Sequence, residues 1–269
     1  MNRSEQWRSR IRIISKYAFV DRPLEVIPLK LPRQFKKFDI YASLVNSGFV
    51  FQENDVLVIS SKYVSISEGS VISLDKVRVS SRAAAMAKKF HIQEQLAEIV
   101  LRESDYVLRG MPGYLLTFKN GVLAPNAGID KSNVPPGFAV LYPSNPFQVA
   151  KNLRLKFLIN FGTNLAIIVS DSRLMPTRIG TTGIAIGVSG LEPVEDQRGK
   201  KDLFGNVLRV TIKAIADELA TIGVMIMGES NESIPAVIIR GSNVRRSGRD
   251  INWRDMAIEP ENDIYMRSG

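Results

Sequence analysis

The stretch VLRVTIKAIADELATIGVMIMGESNESIPAVIIR, residues 207–240, carries the reading that decides the fold class. Leu208, Val210 and Ile212 alternate with Arg209, Thr211 and Lys213, the period-two pattern of a half-buried strand with one wet face. From Ile215 to Met227 the pattern turns helical, and the Gly228 turn follows it. Residues 236–240, with β-branched Val237, Ile238 and Ile239 at their centre, read as a buried strand.

The same alternation of element types extends upstream. Residues 165–170 form a continuous apolar strand that is expected to deliver Asp171 at its C-terminal end, where a side chain can leave the core and face a ligand. A helix is expected from Phe147 through Leu153, Phe157, Leu158 and Phe161 to the Gly162 stop. Residues 82–108 read as one long helix, N-capped by Ser80 or Ser81, with Met86, Phe90, Leu96, Ile99 and Val100 along a broken core stripe. Residues 56–59 form a short strand ending in a polar Ser60-Ser61 loop. Strands and helices occur without regular βαβ repetition, so the class is α+β. A second lobe is expected, with an uncertain internal boundary. The polar tail after Arg245 reads as a docked arm anchored by Trp253 and Tyr265.

A chain of 269 residues that is 45% hydrophobic is long enough for one large core or two modest ones. Its apolar runs, such as 165–169 and 224–227, fall far below the roughly 20 residues of a membrane-spanning helix. The basic start, residues 1–19, lacks the apolar stretch and cleavage site of a secretory signal, and a cytoplasmic location is expected. Without cysteine there is no disulfide, thiolate metal site or cysteine nucleophile. The single histidine, His91, sits in a helical pattern beside Phe90 and Ile92 and reads as an ordinary half-buried residue. The net charge of +9 is scattered, its densest runs being residues 3–12 and 245–249, without the aromatic interleaving of a single-strand stacking platform. Charge alone does not choose between a nucleotide enzyme and a nucleic-acid binder, since a basic field equally steers small polyanions, and nucleic acid is the less expected partner.

Neither common nucleotide fingerprint is present. Gly199-Lys200-Lys201 lacks the upstream glycine and the following hydroxyl of a P-loop. Gly180, Gly183, Gly187 and Gly190 do not form G-x-G-x-x-G, so no Rossmann fingerprint exists. Tight strand connections and a ligand-facing loop both remain open for these glycines. Residues 125–133, PNAGIDKSN, form a polar turn presenting Asn126, Asp130 and Asn133. Hard cations take such oxygens, leaving phosphates to complete the shell. Asp130, Asp171 with Ser172, and Glu229 after the Gly228 turn are candidate donors, although an Asp in such a loop is commonly a simple turn former.

At these residues the sequence resembles the F420-0:γ-glutamyl ligase family. Residues 126–133, NAGIDKSN, are similar to the family's NAGID-x-SN signature, and further blocks follow in order over residues 24–244. They include SISEG at 65–69 after Lys62, SDS at 170–172, GIAIG at 183–187, RGKKDLFG at 198–205, MGE at 227–229 and PAVIIRG at 235–241. The resemblance implies an α+β fold of two lobes outside the P-loop and Rossmann types, with residues 1–23 as a basic extension and 245–269 as a C-terminal arm. It also implies a homodimer, and two divalent cations, Mg or Mn, bridging GTP and protein. Asp130 and Asp171 would be catalytic, and Asp130, Asp171, Ser172 and Glu229 would hold metal. Leu29, Lys30, Leu31, Pro32, Ser60, Ser61, Lys62, Ser65, Asn133, Gly228, Ser230, Asn231 and Ser233 would contact nucleotide.

The implied reaction joins L-glutamate to coenzyme F420-0. GTP phosphorylates the terminal carboxylate of the lactyl phosphodiester, and the glutamate amine attacks the acyl phosphate. The chain departs from the family pattern at Ile66, where a lysine is usual, and over 173–177, where Arg173-Leu174-Met175-Pro176-Thr177 replaces an aromatic and glycine-containing segment. These departures leave two other readings: an amide ligase with a different carboxylate acceptor, or a non-catalytic homologue that binds nucleotide or nucleic acid.

Overall fold

The computed structural model describes residues 11–13, 23–259 and 261–266. Most of the basic N-terminal extension, including residues 3–10 of its charge run, lies outside the described residues. The chain is a mixed α+β protein, with six α-helices and several open sheets among the described residues.

A six-stranded mixed sheet forms the centre. It is built from β1 (Ile11–Ile13), β2 (Leu24–Leu29), β3 (Val56–Ser60), β9 (Ala166–Leu174), β10 (Thr181–Ser189) and β13 (Ala236–Arg240), in the order β1-β2-β13-β3-β9-β10. β3 and β9 run parallel and the other pairs antiparallel. Alternate residues feed two cores. Leu57, Ile59, Ile167, Val169 and Ile238 pack on one side with Ala150, Leu153 and Phe157 of α5 (Pro146–Phe161). Val56, Val58, Ile168, Val237 and Ile239 pack on the other with Ala216, Leu219 and Ala220 of α6 (Ile215–Met227). Because both faces are covered, these strands read as continuous apolar runs rather than as alternating ones.

The glycines of β10 serve this packing. A Cβ at Gly183 would lie 2.5 Å from the Ala220 carbonyl oxygen in α6, and one at Gly187 2.4 Å from the Pro146 carbonyl carbon at the start of α5. Both helices approach the sheet too closely for any side chain there. Gly183 and Gly187 thus lie inside a strand and serve helix–sheet packing, where the sequence offers tight strand connections or a ligand-facing loop.

Between β3 and β9 the chain builds α1 (Ile40–Val45) just upstream, α2 (Ser61–Glu68), a small β4 (Val71–Ser73)–β8 (Phe138–Val140) pair, α3 (Ser81–Phe90), α4 (Glu94–Glu103) and a meander of β5 (Tyr106–Met111), β6 (Tyr114–Lys119) and β7 (Val122–Pro125). The expected long helix at 82–108 is thus two helices followed by a strand. His91 adopts a left-handed conformation, φ +51°, and ends α3, so it is an exposed cap and not a half-buried helical residue. Ser80 caps α3 as expected, its hydroxyl accepting from the Ala83 N–H. Glu98 of α4 accepts from both the Ser80 N–H (2.8 Å) and its hydroxyl (2.6 Å), which locks the two helices together.

Three further expectations change. The apolar strand does not stop at Ser170; β9 runs to Leu174 because β10 pairs with it throughout, so Asp171 lies inside a strand. The alternating residues 207–213 contribute only β12 (Ile212–Lys213), paired with β11 (Glu195–Asp196), and Val210 is 85% exposed. Among the described residues no sheet face covers them. In the C-terminal arm Trp253 lies against Gly121, whereas Tyr265 is exposed and buried Ile251 is the second anchor.

Candidate functional site

Four segments converge at one end of the β3–β9 pair. α2 begins directly at Ser61, where a polar loop was expected, because β3 leaves Ser60 in the extended geometry of an N-cap. The first turn of α2 therefore presents N–H groups and the positive end of the helix dipole beside Asp171 of the neighbouring parallel strand. The Ser61 hydroxyl donates to Asp171 Oδ1 at 2.7 Å.

The PNAGIDKSN turn supplies the second carboxylate. Asn126, Ala127 and Gly128 all have positive φ, a run held by the Asn126 side chain accepting from the Leu115 N–H and by Thr117 Oγ1 accepting from the Ala127 N–H. Asp130 is then fixed by exchanging backbone hydrogen bonds with Val140. Its carboxylate accepts from the Ser132 N–H (2.6 Å) and pairs with Lys62 Nζ at 2.6 Å.

The third comes from the end of α6. Gly228, at φ +72° and ψ 175°, takes a conformation essentially restricted to glycine and turns the chain so that Glu229 faces β9 and β10. Ser172 Oγ donates to Glu229 Oε1 at 2.5 Å and Thr181 Oγ1 at 3.1 Å. Asn133 Nδ2 donates to the Ser230 carbonyl at 2.7 Å and ties the Asp130 loop to the Glu229 loop.

Asp130, Asp171 and Glu229 line one open cavity of 830 Å³, together with Ser61, Lys62, Ser172 and Thr181. Of the nucleotide-contact candidates, Leu31, Pro32, Ser60, Ser61, Lys62, Ser65, Asn133, Gly228, Ser230, Asn231 and Ser233 line it, as do all four metal candidates. Leu29 does not: it is buried in the core. Lys30 is exposed and lies outside the lining as well. Ile66 borders the cavity, so the position where the chain departs from the family pattern is part of the site. Sequence reasoning missed Tyr142, Thr181 and Ser132. No local motif marks Tyr142, and Thr181 enters only because the β9–β10 register places it opposite Leu174, next to Ser172.

Burial pushes the Asp171 carboxyl up to about 6; the Ser61 and Ser172 hydrogen bonds oppose this, nearby Asp130 adds to it, and Lys62 partly offsets it. Burial also raises the Tyr142 hydroxyl, with Asp171 contributing. A desolvated carboxylate facing a second one favours added positive charge. The donors are hard oxygens, as Mg²⁺ or Mn²⁺ requires. Among the described residues no three acidic or histidine side chains are close enough to form a cage of their own. The set therefore fits cations that take one or two carboxylates each and complete their shells with phosphate oxygens and water. The buried Ser65 hydroxyl borders the cavity without a protein partner, a further polar atom available to a ligand. No helix among the described residues is long and apolar enough to cross a membrane.

A family model described as F420-0:Gamma-glutamyl ligase matches residues 36–241. The Methanocaldococcus jannaschii protein named coenzyme F420:L-glutamate ligase is 38% identical over 245 residues, covering 91% of this chain and 97% of that protein. Proteins of the same name from Archaeoglobus fulgidus and Methanopyrus kandleri are 37% and 36% identical, each covered to 97% of its length by 91% and 90% of this chain. The match spans the Asp130 and Glu229 loops and the Asp171 strand together with the fold that positions them, and the chain belongs to the F420-0:γ-glutamyl ligase family.

Proposed function

We propose that this chain is a GTP- and divalent-metal-dependent ligase that adds L-glutamate to coenzyme F420-0 through a γ-glutamyl amide bond. The observation that carries the reading is the convergence of Asp130, Asp171 and Glu229 on one cavity floored by the first turn of α2. Three carboxylates beside a positive helix end suit a nucleotide triphosphate only when cations stand between them.

In this reading the N–H groups of α2, with Ser60, Ser61, Lys62 and Ser65, orient the phosphates. Asp130, Asp171, Ser172 and Glu229 would hold two cations, Mg or Mn. Bound cations would neutralise the charge that develops as the γ-phosphoryl group leaves GDP for the acceptor carboxylate. Lys62, now paired with Asp130, is close enough to the site to turn toward a phosphate oxygen once that carboxylate is otherwise engaged. The acyl phosphate gives carbon a leaving group, the glutamate amine attacks it, and inorganic phosphate departs as the amide forms. Positioning and electrostatics suffice, which agrees with a chain holding no cysteine and one remote histidine.

The finer organisation belongs to the same proposal: two lobes within residues 24–244, neither of P-loop nor Rossmann type, a basic extension before them, the 245–269 arm after them, and a cytoplasmic home. A homodimer accounts for the arm between β11 and β12, where Leu203 is 101% and Phe204 91% exposed. Large apolar side chains in such number on one excursion suit burial against a second copy. The test is incubation with F420-0, L-glutamate, GTP and Mn²⁺, with each omitted in turn, and product detection by mass. A glutamylated product that requires all four supports the reading. GTP hydrolysis with no adduct favours a different carboxylate acceptor, and nucleotide binding without turnover favours the non-catalytic reading.

A further inference from the structure

We propose that Arg173 is a specificity-determining residue that receives the phosphodiester of the acceptor, and that a second cavity behind it takes the acceptor's flat ring. The inference rests on the ligase reading above and assigns the substrate half that the nucleotide cavity leaves open. Its starting point is a cavity of 360 Å³ that shares a wall with the first: Val122, Leu123, Tyr142, Arg173 and Ile184 border both. The two are neighbouring compartments with one charged residue at their boundary.

Arg173 lies two residues beyond Asp171 on β9, opposite Thr182, while Asp171 lies opposite Ile184. Strand alternation puts the two side chains on the same face, roughly 7 Å apart along the strand. Arg173 is half-buried. Asp217 of α6 and Asp263 of the C-terminal arm act on it electrostatically. Among the described residues, neither reaches ion-pair distance and no hydrogen bond engages it. Asp217 spends one carboxylate oxygen on the Ala185 N–H at 2.8 Å. The two carboxylates hold the guanidinium in place without engaging it, and its planar array of N–H donors faces solvent and is left available to a ligand. A phosphodiester offers two such oxygens in the geometry that arginine matches best.

The walls beyond Arg173 are of a different character. Phe147, Leu123 and Trp253 give apolar surface, and the Trp253 ring sits where a Cβ on Gly121 would fall 2.4 Å away, so this glycine seats the indole. The residues around Trp253 in the C-terminal arm close the cavity. Its size and aromatic lining suit a tricyclic ring better than an amino acid. The order of groups matches the acceptor. Its reacting carboxylate is separated by one carbon from the phosphodiester, and the deazaflavin lies at the far end. With the carboxylate at the Asp130–Asp171 centre, the phosphodiester falls next along the strand, at Arg173, and the ring enters the second cavity.

The test is equilibrium dialysis of the full chain against F420-0 and against its phosphate-free deazaflavin alcohol, both followed by their own absorbance. Arg173→Gln, Arg173→Lys and Ala257→Trp are compared with the unaltered protein, and thermal melting checks that each is folded. Arg173→Gln is expected to weaken F420-0 binding about tenfold or more, the value of a lost charge-assisted pair, while changing the alcohol by less than about twofold. Arg173→Lys should fall between, and Ala257→Trp, which fills the second cavity, should weaken both ligands. A folded Arg173→Gln protein that binds F420-0 like the unaltered one, or that loses both ligands equally, overturns the assignment. If the unaltered protein glutamylates F420-0, that failure belongs to Arg173 alone. If it takes up neither compound, the ligase reading fails and the assignment with it.

Discussion

Replacing Asp171 by Asn should make the metal-free protein more stable at neutral pH while removing its activity. The side chain is raised from its ordinary 3.8 to about 6, chiefly by burial. The folded state therefore holds the proton more tightly than the unfolded one, and stability present below pH 3.8 is lost as the pH rises through 6. A shift of that size corresponds to about 3 kcal/mol over the whole window, at about 1.4 kcal/mol per unit. Roughly half of it, about 1.4 kcal/mol, falls between pH 5 and 8. Asparagine carries no charge to bury and keeps an oxygen for the Ser61 hydroxyl. Thermal melts in EDTA across that range should show the variant gaining on the unaltered protein by about 3–6 °C as the pH rises. Added Mn²⁺ should then raise the melting temperature of the unaltered protein at pH 8 and leave the variant where it was. Parallel pH profiles for the two proteins would refute the claim that Asp171 is held against its preferred ionisation for a cation.

Asp55→Ala removes a fully buried carboxylate that takes two hydrogen bonds from Arg240, at 2.8 and 2.7 Å, and one from the Gln52 N–H. Urea unfolding should register a loss of about 3 kcal/mol or more, because the arginine is left without its partner. Gly183→Ala places a methyl 2.5 Å from the Ala220 carbonyl and should cost about 1–3 kcal/mol by the same assay, through the α6–sheet contact. Phe204→Asp combined with Val210→Asp should shift sedimentation from dimer to monomer, and an unchanged dimer would move the proposed interface elsewhere on the surface.

The sequence disclosed most where burial is symmetric. Residues 165–170 and 236–240 read as strands because both sheet faces are covered, and the helix at 215–227 read correctly because its stripe meets that sheet. Alternation at 207–213 misled because a period-two pattern marks two unlike faces without saying what lies against the apolar one; among the described residues Val210 and Ile212 stay exposed. The break at His91 was invisible because a non-glycine residue takes the left-handed cap, and Asp171 was placed at a strand end because its continuation depends on a partner strand. Within the site, residues on conspicuous turns, Asp130 and Glu229, were legible. Tyr142, Thr181 and the second cavity were not, since register and the docking of the C-terminal arm bring them together.

The central claim is that this chain activates an acceptor carboxylate by transferring a phosphoryl group from GTP. Its most direct measurement uses F420-0 labelled with ¹⁸O in both oxygens of the terminal carboxylate, incubated with the protein, L-glutamate, GTP and Mn²⁺. The bridging oxygen of the acyl phosphate leaves with phosphate when the amine attacks, so the account predicts one ¹⁸O in the inorganic phosphate for each glutamylated product formed. Unlabelled phosphate alongside the product, or phosphate released with no product, would contradict it.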